Sequence, residues 1–333
     1  MIDYKQEPPN CIQIELVEGC NLGCSFCGLQ HIRDNGANGP EKVNGKASAF
    51  KFMTEDTARM LATVLDEACA GHKWNPRVEF AMHGEPTMHP DYVGMISLFR
   101  KKLPKLSFQL TSNGGGLLRG GNMSGNINAV LEAGINVLCL DNYDGVKIVD
   151  KILHGYNGPY TVRKYPEDKT ANPHQRRRPN VHEIVVIHDI ELATKGNHAT
   201  ITNHAGASFP PNENAQGKRC AKPFREISVR WDGNIAMCCN DWPGRYKIGH
   251  VREGLEALWQ GPGFMAARQA LLHGKRVFEP CKGCDYTSYR VGLLPDKLGK
   301  KTLPEPDAET WATIRQHTAG EPYTPRVKRP WDV

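Results

Sequence analysis

The sequence predicts an α/β protein, a parallel sheet wound with helices and then a smaller α+β unit. Three observations carry that prediction. Strand-like apolar runs alternate with amphipathic helical patterns as far as residue 195, the signature of right-handed βαβ units. A stretch rich in Asn, Gly, Pro and Ala, residues 196–217, then breaks the alternation and reads as a linker. Beyond it the chain changes character, with two strand-like runs flanking Asp232-Gly233 and several paired cysteines.

Residues 11–17 alternate apolar and polar side chains and read as the first strand. A Gly-, Asn- and Lys-rich loop follows at 31–50. A helix begins near Thr54, with Glu55 and Asp56 in its first turn and Met60, Leu61, Val64, Leu65 and Ala68 on one face. Residues 77–82 form a second strand, and 91–102 a helix carrying Tyr92, Met95, Ile96 and Phe99. Strands at 107–110, 135–140 and 183–187 and helices at 126–132 and 146–153 continue the pattern. The total is about five or six βα units, short of the eight that close a full barrel. After the linker come the Asp232-Gly233 hairpin and helices near 254–260 and 263–272. From residue 294 the chain is rich in proline, with one short helix near 308–316. The expected division is 1–195, a linker at 196–217, a second unit at 218–293 and an extended tail at 294–333.

At 333 residues with 39% hydrophobic content, the chain is long enough to bury a sizeable core. It has no apolar run long enough to span a bilayer, and its N-terminus lacks a signal-peptide core, so a soluble cytoplasmic protein is expected. Its 11 cysteines cluster at metal-ligand spacings, which fits a reducing compartment better than disulfides. The net charge of +6 is mild. The densest basic stretches are Arg176-Arg177-Arg178, preceded by Arg163 and Lys164, and the C-terminal Arg326, Lys328 and Arg329. They read either as solvated surface or as a patch for a polyanion such as nucleic acid.

Two cysteine constellations carry the chemistry. Cys20, Cys24 and Cys27 are spaced C-x3-C-x2-C directly after the first strand, where α/β folds place ligands, with Phe26 just before the third cysteine. Zinc would normally recruit a fourth ligand nearby, whereas an iron–sulfur cluster held by three thiolates keeps one iron open. The second set is Cys220, one of Cys238 and Cys239, Cys281 and Cys284. Neighbouring strand residues point to opposite faces, so only one of the adjacent pair is a ligand, and the spacing selects Cys238. Four thiolates close either a structural zinc site or a cluster without an open iron.

The first motif resembles the signature of the radical S-adenosylmethionine (SAM) enzymes. The second set resembles the twitch subdomain, a shortened SPASM domain, through its 18-residue interval from Cys220 to Cys238, its Cys-x-x-Pro-Phe opening and its Asp-Gly turn. The resemblance implies a partial (β/α)6 barrel followed by a small iron–sulfur subdomain. It implies a [4Fe–4S] cluster on Cys20, Cys24 and Cys27 whose open iron chelates SAM, and an auxiliary [4Fe–4S] cluster on Cys220, Cys238, Cys281 and Cys284. Gly84-Glu85-Pro86 resembles the segment that meets the SAM amino group, with His83 where a glycine is usual. Ser112 and Asn113 match the segment at the SAM carboxylate and ribose, and Phe26 the aromatic near adenine.

His83 and Asp141, at strand ends, are candidates to touch substrate as catalytic residues, against packing and capping roles respectively. The family reading adds an external one-electron donor of flavodoxin or ferredoxin type. Several substrate readings stay open: oxidation or rearrangement of a small polar molecule, modification of a nucleobase or nucleic acid, or modification of a peptide. Only ten residues precede the first strand, which leaves little room for a peptide-recognition domain. The non-enzymatic alternative is an iron–sulfur electron-transfer protein. Cys11, Cys69 and Cys139 read as small buried hydrophobes.

Overall fold

The computed structural model describes residues 6–22, 24, 27–29, 41–43, 46–48, 50–142, 147–187, 202–207, 217–286 and 303–318. Its strands are β1 (Cys11–Ile14), β2 (Val17–Glu18), β3 (Glu41–Val43), β4 (Lys46–Ser48), β5 (Lys51–Phe52), β6 (Arg77–Phe80), β7 (Phe108–Ser112), β8 (Val137–Asp141), β9 (Thr161–Tyr165), β10 (Glu183–Ile187), β11 (Glu226–Val229), β12 (Asn234–Ala236) and β13 (Lys247–His250). Nine of them form one sheet in the order β13-β12-β11-β1-β6-β7-β8-β10-β9. From β11 to β9 every neighbouring pair is parallel, and β12 and β13 add an antiparallel ribbon.

The expected strand at 11–17 is two pieces, β1 and then β2, which turns away to pair with β5. Part of the expected loop at 31–50 is a small hairpin, β3 with β4. Strand β9 has no counterpart in the sequence reading. It is an edge strand with largely exposed side chains, so its sequence, Thr-Val-Arg-Lys-Tyr, carries no buried apolar face to betray it.

Strand alternation divides the sheet into two chemically different faces. Ile12, Ile14, Val78, Phe80, Phe108, Leu110, Leu138 and Leu140 belong to the main core with Leu61 and Leu65 of helix Glu55–His72 and Ile96 and Phe99 of helix Tyr92–Lys102. Each such buried side chain contributes about 1.5–3 kcal/mol. The residues between them, Gln13, Glu79, Gln109 and Ser228, are polar and lie in one register row across β11, β1, β6 and β7. Ser228 Oγ donates to Gln13 Oε1 at 3.5 Å and Gln109 Nε2 to Glu79 Oε1 at 3.5 Å, which ties the row together. Cys11 belongs to this polar face rather than to an apolar core. Its sulfur is 3.6 Å from both Glu79 Oε2 and an Arg77 guanidinium nitrogen.

Helix starts follow local capping chemistry. Thr54 accepts from Thr57 N, Asp91 from Gly94 N and Asn122 from Gly125 N, each satisfying an otherwise orphaned amide. The hairpin from β11 to β12 turns through Arg230–Gly233, with Gly233 N donating to Arg230 O at 2.9 Å. This hairpin extends the parallel sheet, because β11 is hydrogen-bonded along β1. Helices Leu255–Gln260 and Pro262–Leu272 share the main core, where Trp259 meets Trp74 edge-on at 6.4 Å. Among the described residues no helix is long and apolar enough to cross a membrane.

Candidate functional site

The cysteine loop leaves β2 at the C-terminal edge of the parallel strands. Cys20, Cys24 and Cys27 are half-buried, and Cys27 N donates to Cys24 O at 3.1 Å to turn the loop. Gly84 makes the neighbouring contact possible. A Cβ at Gly84 would lie 2.1 Å from Val17 O and 2.5 Å from Gly19 O, so only glycine lets β6 end against this loop. Glu85 N then donates to Gly19 O at 2.8 Å.

Glu85 is the hub. Its Oε1 accepts from Thr87 N at 3.0 Å, Thr87 Oγ1 at 2.5 Å and Ser112 Oγ at 2.7 Å, and its Oε2 from Asn113 N at 2.7 Å. Burial pushes its carboxyl above the usual range, while the bonds from Thr87, Asn113 and Ser112 pull it back. Asn113 carries the network onward, with Nδ2 at 3.4 Å from Cys20 Sγ and 3.0 Å from Asn21 Oδ1. Four residues expected around one ligand, Gly84, Glu85, Ser112 and Asn113, therefore gather beside the cysteine loop, with Asn113 reaching Cys20 and Gly84 packed on Val17 and Gly19. Phe26 lies outside the described residues.

His83 is 1% exposed. Its Nε2 lies 3.0 Å from Cys239 O, and its Nδ1 lies 2.8 Å from Glu15 Oε1. Burial favours the neutral form of Glu15, but Arg230 and His83 outweigh it and hold the carboxyl below the usual range. His83 thus ties the end of β6 to the second cysteine set. Asp141 ends β8, half-exposed and level with Ile187 of β10.

Cys220, Cys238, Cys281 and Cys284 are all buried. Burial raises each thiol's pKa, and their charges act on one another: Cys284 on Cys220, Cys281 on Cys238, and both Cys284 and Cys220 on Cys281. Among the described residues no three metal-binding side chains converge as they would on a single ion; the four thiols form a looser group. Tyr286 N lies 3.4 Å from Cys284 Sγ and Asn240 Nδ2 3.9 Å, the kind of donors that tune cluster thiolates. Buried Arg276 seals the site, donating to the carbonyls of Lys218, Arg219, Cys284 and Tyr286 at 2.8–3.3 Å. Cys238 and Cys239 lie not on a strand, as expected, but in the turn beyond β12, which ends at Ala236, so strand alternation does not separate them. Cys239 turns elsewhere. Its sulfur meets Lys222 Nζ at 2.9 Å, and Lys222 also binds Glu226 at 3.0 Å.

Several residues of this site escape a sequence reading. Glu15, Thr87, Trp242, His204, Lys222 and Arg276 lie outside any cysteine spacing, and only tertiary packing assembles them. The expected basic triplet is partly committed to the fold. Arg177 pairs with Glu183 at 2.6 Å, and Arg163 pairs with the same carboxylate at 3.0 Å. The C-terminal Arg326, Lys328 and Arg329 lie outside the described residues.

Residues 220–285 match SPASM, an iron–sulfur cluster-binding domain. No curated protein matches the sequence significantly. Among solved structures the chain is similar to BtrN in complex with AdoMet and 2-DOIA, at 17% identity and a TM-score of 0.62, over 86% of this chain and 97% of that one. It is also similar to BtrN in an open conformation, at 15% identity and a TM-score of 0.54, over 87% and 96% of the two chains. The anSMEcpe protein with bound AdoMet aligns at 13% identity and a TM-score of 0.43, over 93% of each chain. The chain shares the α/β fold of BtrN, built on a large parallel sheet, and carries at residues 220–285 a SPASM iron–sulfur cluster-binding domain.

Proposed function

We propose that the chain is a radical SAM enzyme acting on a small polar substrate, with a twitch-type auxiliary cluster. The carrying observation is the network that joins Cys20 to Glu85, Ser112 and Asn113 beside a half-buried three-cysteine loop. Cys20, Cys24 and Cys27 would hold a [4Fe–4S] cluster, and Cys220, Cys238, Cys281 and Cys284 an auxiliary one. When bound, the first cluster supplies the electron that cleaves SAM to methionine and a 5′-deoxyadenosyl radical. The chain's own residues bind and orient. Glu85 fixes the Ser112-Asn113 turn; the Gly84-Glu85-Pro86 segment would meet the SAM amino group and Ser112 and Asn113 its carboxylate and ribose, with Phe26 the proposed aromatic partner of the adenine. The likeness to BtrN, seen with AdoMet, supports SAM as the ligand.

The polar sheet face supports a polar substrate. Gln13, Glu79, Gln109 and Ser228 line it, and the buried Gln109 Oε1 has no hydrogen-bond partner among the described residues. Asp141 at the rim is the candidate to touch substrate. His83, enclosed between Glu15 and Cys239, serves better as a positioning group than as a proton donor. An auxiliary cluster held by Cys220, Cys238, Cys281 and Cys284 would supply an acceptor for the substrate's electron, and the proposed external reductant is a flavodoxin- or ferredoxin-like donor. The proposed setting is the cytoplasm.

Anaerobically reconstituted protein, reduced with dithionite and given SAM, should release 5′-deoxyadenosine and methionine. Replacing Cys20, Cys24 and Cys27 by Ala should abolish this. Fully iron-loaded protein that leaves SAM intact would identify an electron-transfer protein instead.

A further inference from the structure

Trp242 joins the two cysteine sites. Its ring centroid lies 4.7 Å from that of His83 and 4.8 Å from that of His204, and the side chain is buried. With Leu29 and Ala207 it forms a small apolar core against which Cys20 and Cys27 pack. Gly28 is part of that fit, since a Cβ there would lie 3.0 Å from Trp242 Cδ2 and 3.0 Å from Ala207 Cβ. The backbone leading to Trp242 belongs to the other site. Asp241 N donates to Cys238 O at 3.1 Å, Trp242 N to Asn240 O at 2.9 Å, and the Asn240 side chain reaches Cys284 Sγ. One indole thus packs against the three-cysteine loop while its main chain is bonded into the four-cysteine site.

We infer that Trp242 couples the two iron–sulfur centres electronically and returns the substrate's electron to the SAM-binding cluster. The inference rests on the two-cluster reading above. Electron tunnelling weakens steeply across unfilled gaps, and a packed conjugated ring with short bonded segments behind it closes one. The electrons balance. Cleavage of SAM consumes one electron from the first cluster, and hydrogen abstraction leaves a substrate radical. That radical loses a proton to solvent and an electron to the auxiliary cluster, giving the oxidised product. The electron's return past Trp242 restores both clusters, so the external donor only primes the cycle. The indole is a bridge and is not itself oxidised.

The test uses holoprotein holding about eight irons, reduced with less than one equivalent of dithionite and sampled by rapid-freeze electron paramagnetic resonance. Added SAM perturbs the signal of one cluster and so labels it. In wild type the electron should redistribute between the two signals faster than in Trp242→Leu, where exchange should slow several-fold at unchanged iron content and midpoint potentials. Trp242→Phe should recover most of the rate, and Gly28→Ala, which displaces the ring, should slow it. Equal exchange rates in wild type and Trp242→Leu overturn the inference. If Trp242→Leu loses iron, equal rates in wild type and iron-replete Gly28→Ala overturn it as well. A wild-type preparation with a single cluster removes the two-cluster reading and this inference together, an outcome told apart by the iron count.

Discussion

The two cysteine sites are held in opposite ways. Cys20, Cys24 and Cys27 sit half-buried on a loop, and their polar neighbours are side chains that arrive from the ends of other strands. Cys220, Cys238, Cys281 and Cys284 are fully buried and walled by main chain, with Arg276 gathering four carbonyls around them. Three thiols with hydrogen-bonding side chains on one flank leave room for a ligand. Four thiols sealed in the core leave none. On the proposed reading, one centre is built to receive a molecule and the other to store an electron.

That contrast predicts unequal costs of damage. Removing one thiol from the sealed site, as in Cys284→Ala, should cost the most. The remaining buried thiols, already pushed up in pKa by burial, would lose the metal charge that stabilises them. Iron content after reconstitution should fall from about eight to about four, and the fold around residues 217–286 should loosen. Protection of backbone amides against hydrogen exchange in that segment would report it. Full iron content in the variant would break the comparison.

Arg276→Leu should come next. The change leaves up to four buried carbonyls without their donor and removes a positive charge that lowers the pKa of Cys220, Cys281 and Cys284. The expected destabilisation is about 3 kcal/mol, read from denaturant unfolding. Arg276→Lys should recover part of the charge effect but not the forked geometry. A loss below 1 kcal/mol, against that estimate, would show that the main-chain wall stands without it.

The open site should respond in binding rather than in folding. Glu85→Gln keeps the shape but turns an amide NH2 toward Asn113 N or toward Ser112 and Thr87, breaking at least one of four bonds. The loss should be about 1–3 kcal/mol, and SAM affinity, measured by calorimetry on the iron-loaded protein, should fall about tenfold or more. Unchanged affinity would assign Glu85 to the fold alone.

The legibility of these sites followed their physics. Both cysteine sets lay open in the sequence because thiolate ligands need particular spacings, β1 because its side chains alternate, and β6, β7, β8 and β10 because buried parallel strands read as apolar runs. Strand β9 escaped because an exposed edge carries no such run. The residues that bridge the sites, Trp242, His204 and Glu15, escaped for a different reason. Each looks locally like ordinary core or loop, and its meaning comes only from neighbours far away in the chain. The polar face of the sheet was half-visible, since Gln13 alternates with Ile12 and Ile14, but the register that lines it up with Glu79, Gln109 and Ser228 is a tertiary fact.

The smallest effect should come from Cys239→Ala, and it tests the sequence choice between two adjacent thiols. Burial raises both thiols; Cys238 feels Cys239 first and then Cys281 of the sealed set, whereas Cys239, pushed up to about 12, feels Glu226 and Lys222 and hydrogen-bonds to both. Its sulfur is 2.9 Å from Lys222 Nζ, but the same ammonium keeps Glu226 at 3.0 Å and stands 4.7 Å over the Tyr286 ring. Losing the thiol therefore leaves Lys222 with partners, and the cost should be about 1 kcal/mol, within the range of one buried hydrogen bond. Iron content should stay at about eight, because the displaced thiol is not one of the four. Cys238→Ala, in contrast, should behave like Cys284→Ala. Iron loss in the Cys239 variant together with full loading in the Cys238 variant would exchange the two roles. It would also mean that the turn beyond β12 presents its other thiol to the sealed site once metal is bound.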